Sequence, residues 1–216
     1  ITDYWKDTGT PQDIIHANGE IIKNMSEYFY GEKTENVKIS GKVLTGKNSV
    51  ILGNTTITGP VIIGENCYIG PGAAIRGDWG EIILENGVNV QENCTVHMFP
   101  GKSIVLQQGA HVGHGAIIHG ANLGRNTMVG MNSVIMDGAV IADECIVGAM
   151  AFVKAESVFA PRQLIVGNPA KAIKEVSSQM LAWKTAGTKL YQSLPKDCIE
   201  TLREVSPLRE IPEDRP

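Results

Sequence analysis

Charge and aromatic surface are both scarce in this chain. Across 216 residues, 19% are charged and 6% aromatic, a poor supply for a helical bundle laced with surface ion pairs. An all-helical fold is disfavoured. No block of Lys and Arg occurs, and the formal net charge is −4, so nothing offers to neutralise a phosphate backbone. Nucleic acid is not an expected partner. No apolar run approaches the roughly 18–20 residues of a membrane span, and the opening ITDYWKDTGT lacks both a basic flank and an apolar signal core. No membrane partner is expected either, and the expected location is cytoplasmic. The four cysteines, Cys67, Cys94, Cys145 and Cys198, show neither CxxC spacing nor the density of a disulfide framework, which agrees with reduced thiols.

What the chain does contain is a repeat of six. Ile39, Ile51, Ile57, Ile63, Ile69 and Ile75 share one register, with Thr45 in the missing place, and Leu123, Val129, Ile135, Ile141, Val147 and Val153 resume it. Small residues such as Ser49, Thr55, Cys67 and Ala73 follow four positions later. Six is not a multiple of 3.6, so a helix would smear these aliphatics around its circumference, whereas a short strand plus a turn returns each to the same place. Together with 24 glycines, the pattern predicts an all-β parallel β-helix built of hexapeptides. Residues 37–170 form that domain, with roughly seven coils about 4.8 Å apart. Residues 1–36 are an N-terminal extension with a short helix around Ile21, Met25 and Tyr28. Residues 171–216 are a helical segment with one face at Val176, Met180 and Trp183 and a second at Leu194, Cys198, Leu202 and Val205, predicting C-terminal α-helices that flank the prism. Trp183 and Tyr191 read as packing residues.

The register breaks in three places. Extra residues fall at Asp78-Trp79-Gly80 and near Phe99-Pro100-Gly101-Lys102, and one residue is missing between Val112 and Leu123. All three breaks surround a histidine-rich stretch, and sites are where a regular scaffold departs from its rule. His97 and His119 are separated by one 18-residue coil plus the four-residue loop, so they should stack on one face. His114 lies near a corner and points elsewhere, so a metal bound by all three would take His114 from a neighbouring subunit. Three neutral imidazoles leave a fourth tetrahedral position for water, as catalytic zinc requires. His16 and His111 read as ordinary hydrogen-bonded histidines.

The segments Arg76-Gly77-Asp78-Trp79-Gly80, Asn89-Val90-Gln91-Glu92-Asn93-Cys94 with His97, and His111 through Gly120 resemble the γ-class carbonic anhydrase family. Gly130 through Ala139 and the tail Trp183-Lys184, Tyr191-Gln192 and Pro207-Leu208-Arg209 resemble its phenylacetate- and carnitine-operon subfamily. The resemblance implies a left-handed β-helix, a homotrimer, and a metal held between subunits by His97, His114 and His119. Zinc is the implied metal, with iron or cobalt compatible. It places Arg76 and Asp78 as a pair near the site, and Asn89 and Gln91 near the water, where Gln91 would orient hydroxide or bicarbonate. The implied reaction is hydration of carbon dioxide by a His₃-bound metal hydroxide.

Two departures bear on catalysis. Glu92 stands where the family pattern has Asp, and the loop after Met98 lacks an acidic proton shuttle, so turnover should depend on buffer. The alternatives are hydrolysis of an acyl-CoA thioester by the same hydroxide, acyl transfer with one histidine as a metal-free general base, and a non-catalytic trimeric scaffold.

Overall fold

The computed structural model describes residues 20, 21, 24–26, 28–201 and 203. The chain winds through three sheets of nine, seven and seven strands, all parallel except one terminal strand. Each coil visits face one, then two, then three, as in Val50–Ile51, Thr56–Thr58 and Val61–Ile63. The residues on the register of six point inward: Ile51, Ile57, Ile63, Ile69, Ile75, Val96, Ile118 and Ile135 are all buried in one continuous core. Hydroxyls at the small positions are buried but bonded across coils, with Ser49 Oγ donating to the Gly64 carbonyl at 2.7 Å and Thr127 Oγ1 to Ala142 at 3.0 Å. Such pairing removes the cost of burying them. Cys67, Cys94 and Cys145 are free and buried at equivalent places.

The breaks appear in the strand register as expected. Ile82 pairs with Val61 and with Ile104, offsets of 21 and 22 residues, and Leu123 pairs with Leu106, an offset of 17. Parallel pairing starts at Phe29, bridged to Thr45, and at Glu32–Lys33 against Val50–Ile51. Gly167-Asn168-Pro169-Ala170 forms the tip of an antiparallel hairpin, Gln163–Gly167 against Ala170–Glu175, which the repeat had not foretold.

The C-terminal segment differs from the pair of helices expected. One unbroken helix, α1 (Ser178–Thr201), runs through Pro195. Ser177 caps it, its Oγ accepting from the Met180 N–H at 3.2 Å. Length explains the difference: 24 residues rise about 36 Å, close to the height of seven coils at about 4.8 Å each. A single helix can therefore descend the whole of face one, covering its outward side chains Tyr68, Asn89 and His111, which are all buried. Of the helical residues foreseen near the N-terminus, Ile21 and Met25 share a backbone bond of 2.9 Å. His16 and residues beyond 203 lie outside the described residues. Among the described residues, no helix is long and apolar enough to cross a membrane.

Candidate functional site

His97 and His119 end adjacent strands of face two and are direct register partners, with ring centroids 5.3 Å apart. The two insertions each deliver an aromatic ring beside them: Trp79 lies 5.1 Å from His97, and Phe99 lies 5.4 Å from His119. His114 sits in the turn between faces one and two, five residues before His119 and at the opposite edge of face two. A span of five extended residues is on the order of 16 Å, so one subunit does not gather the three. Among the described residues no three metal-binding side chains converge.

A carboxylate attends each of these histidines. Glu92 Oε2 contacts His114 Nδ1, while Glu92 Oε1 accepts from the Tyr68 hydroxyl at 2.6 Å. Burial pulls the Glu92 carboxyl up, but the bonds from Tyr68, its own backbone and His114 outweigh it and leave it below the usual range. Asp137 Oδ1 lies 2.9 Å from His119 Nδ1. Asp78 Oδ1 is 3.5 Å from His97 Nε2, and its other oxygen accepts from Arg76 at 2.8 Å. That hydrogen bond from Arg76 holds Asp78 below its ordinary range. His97 Nε2 is itself buried with no hydrogen-bond partner, and burial, seconded by the Arg76 charge, pulls the ring's pKa below the usual imidazole value. With Nδ1 turned to a carboxylate, His114 and His119 each keep Nε2 as a lone-pair nitrogen. These nitrogens and the orphaned one on His97 are of the kind a divalent metal takes, though within one chain they do not converge.

His111 is surrounded differently. Its Nε2 takes a hydrogen bond from Gln91 Nε2 at 2.7 Å, and its Nδ1 faces Thr188 Oγ1 at 3.3 Å and Asn89 Nδ2 at 3.2 Å. Burial, with the Lys184 charge adding to it, brings its pKa down to about 4, so it is a neutral packed imidazole. Gln91 is buried and fully engaged: its Oε1 accepts from the His114 backbone N–H at 3.1 Å, and its Nε2 also reaches Asn89 Oδ1 at 3.3 Å. Asn89 and Gln91 thus stand behind His114 and hold its turn.

Helix α1 reaches the site as well. Tyr191 places its hydroxyl 3.2 Å from His114 Nε2 and its ring against His111 and Tyr68. It packs, as expected, but its polar end was not foreseen. Trp183 is 67% exposed rather than packed. It borders a cleft of about 290 Å³ between α1 and the turn of His114, floored by Gly113, Gly130 and Gly148 and flanked by Met131. Asp137 escaped the sequence reading, and Glu92, noted there as a departure from the family pattern, was not matched to His114. Their offsets would have found them, since Asp137 follows His119 by one 18-residue coil, and Glu92 precedes His114 by 22.

The coils and their repeat define a hexapeptide-repeat β-helix protein, and comparison with known proteins agrees. The family described as bacterial transferase hexapeptide (six repeats) matches residues 42–77 and 120–155. The "Carnitine operon protein CaiE" of Escherichia coli K12 is 47% identical over 163 residues, 76% of this chain and 83% of that protein, and its namesake in Proteus sp. is 45% identical over the same length. Among solved structures, a hexapeptide transferase family protein from Anaplasma phagocytophilum superposes with a TM-score of 0.60 at 26% identity, covering 77% of this chain and 92% of that one. UDP-N-acetylglucosamine acyltransferase of Francisella novicida, at 16% identity and a TM-score of 0.52 over 74% of this chain and 73% of its own, shares the fold. The chain belongs to the carnitine-operon subfamily of the γ-class carbonic anhydrase-like hexapeptide-repeat family, and its β-helix is the left-handed one of that family.

Proposed function

We propose that this chain is a metal-dependent, carbonic anhydrase-like enzyme that hydrates carbon dioxide at a site shared between subunits of a homotrimer. The observation that carries the reading is the carboxylate on Nδ1 of both His114 and His119, with the Nε2 of His97 buried and unpartnered, against amides and a hydroxyl around His111. A carboxylate on one nitrogen of an imidazole fixes the tautomer and sharpens the other nitrogen as a ligand. His97 and His119 come from one subunit and His114 from the next. Zinc, or iron or cobalt, would supply the Lewis acidity that makes water nucleophilic near neutral pH.

The chain's own residues do the rest. Glu92 and Asp137 orient two imidazoles, Gln91 and Asn89 brace the turn carrying His114, and the Arg76–Asp78 pair keeps fixed charge beside His97. Trp79 and Phe99 set apolar rings beside the histidine pair, a surface suited to an uncharged substrate. The loop Phe99-Pro100-Gly101-Lys102 carries no carboxylate, so proton export falls to buffer, and hydration should rise with buffer concentration. Metal analysis of anaerobically purified protein, with hydration assays over a buffer series, tests this. Fast, buffer-independent turnover contradicts the proton route, and inactivity at full metal content contradicts the reaction.

A second reading, hydrolysis of an acyl-CoA thioester by the same activated water, is favoured by the apolar cleft that opens beside His114 and Tyr191. Transfer of an acyl group without metal accords with the hexapeptide transferase relatives and would employ one carboxylate–histidine pair as general base, but it gives the other pair no role.

A further inference from the structure

The cleft beneath α1 contains a glycine with no structural reason to be one. Gly187 lies in the interior of the helix, where glycine is less favourable than alanine because it loses more backbone freedom. Its backbone is ordinary helix, and a Cβ built on it would meet nothing within 4 Å. Neither a left-handed conformation nor a close approach therefore explains the missing side chain. What the absence does is keep the cleft open, since Gly187 lines it one helical turn from both Trp183 and Tyr191.

The rest of the lining says what the space suits. The opposite wall is Met128, Val129 and Ile146 over the bare backbone of Gly113, Gly130 and Gly148. Two of its ionisable members turn no charge towards a ligand: His111 is held neutral, and Lys184 directs its amine to the Gly109 carbonyl and Asn126 Oδ1, at 2.8 and 2.7 Å. His114 and Tyr191 also line it, as do the exposed side chains of Met131 and Trp183. At about 290 Å³, the cleft sits at the bottom of the roughly 300–1,000 Å³ usual for ligand sites. That is room for a short chain and not for a whole coenzyme.

We propose that this cleft binds a short, linear, uncharged alkyl chain and leads it to His114. That the chain is the acyl part of a thioester rests on the second reading above. Gly187 and Trp183 then set which chain lengths are accepted.

The test uses full-length, zinc-loaded protein and the neutral 1-alkanols from ethanol to octanol, followed by Trp fluorescence, with Trp183→Phe to assign the signal. Affinity should climb roughly fourfold per methylene until the cleft is full, and then level off. Gly187→Leu, which fills the space from the helix, should weaken 1-hexanol binding at least tenfold while zinc content stays unchanged and thermal stability does not fall. Gly187→Ala should stabilise the helix and largely retain binding. Affinity indifferent to chain length, or unchanged in a folded Gly187→Leu, overturns the proposal, as does the absence of any alkanol response, the outcome if a neighbouring subunit fills the cleft. The thioester reading is judged separately with acetyl-CoA and hexanoyl-CoA on the same samples. Alkanol binding without hydrolysis of either upholds the cleft and discards that reading.

Discussion

At the scale of single residues, an imidazole is defined by what stands behind it. His97→Ala or His119→Ala should abolish metal retention while leaving the fold intact, because the aliphatic stack buries the core. His111→Ala should keep its metal. Elemental analysis of the three purified variants, with circular dichroism as the folding control, checks both, and equal loss from His111→Ala would overturn the ligand assignment. Glu92→Gln keeps the side chain's length but removes its charge, and should lower metal affinity by about 10–100-fold, measured by chelator competition. Much of this was legible in residue spacing: the 22-residue interval predicts the stacking of His97 on His119, and the strands pair them. Asp137 and the pairing of Glu92 with His114 were not legible, because a polar partner one coil away depends on the coil length at that level, 18 residues for Asp137 and 22 for Glu92. Glu92, suspect for its extra methylene, does reach His114.

At the scale of the element, α1 is held by a buried amine. Lys184 is 2% exposed, donates to two acceptors, and has its pKa pressed down to about 7 by burial. An undocked lysine titrates near 10.4, so the packed helix binds fewer protons than the unpacked one between these values. Stability should therefore be fullest above about pH 10 and decline as pH falls towards 7, by on the order of 4 kcal/mol if the whole shift is expressed. Below that pH the Lys184 contribution is flat. His111 opens a second window, with its ordinary pKa of 6.5 lowered to about 4, so stability should drop again as pH falls between these values. Urea denaturation across pH 4–10 checks this: Lys184→Met should flatten the upper window and also shrink the lower one, because the Lys184 charge helps depress His111, whereas His111→Asn should flatten only the lower. The helix was legible as an amphipathic segment, but its continuity was not. Whether a helix passes through a proline depends on the wall it lies against, and the height of that wall is a property of all the coils together.

At the scale of the whole molecule, the proposed metal site requires more than one copy of the chain. Neither a His97→Ala trimer nor a His114→Ala trimer contains an intact site under the shared arrangement. Mixed trimers do, since one junction in each brings an intact His97/His119 pair to an intact His114. Random co-assembly makes about three-quarters of trimers mixed with one good site in three, so about a quarter of wild-type metal should return. Co-refolding the two variants and measuring zinc checks it. No recovery, with mixed trimers confirmed by native mass spectrometry, would place all three ligands in one chain.

The descent of α1 has one more result. The hairpin turns the chain around at the last coil, and the helix carries it back until Lys196 and Glu200 border the same hollow as Glu32 and Asn48 of the first coils. The β-helix thus leaves by the end through which it entered. A solenoid normally spaces whatever precedes it from whatever follows it by its full height. Here Glu32 and Glu200 border one hollow instead, and the far coils project away from both.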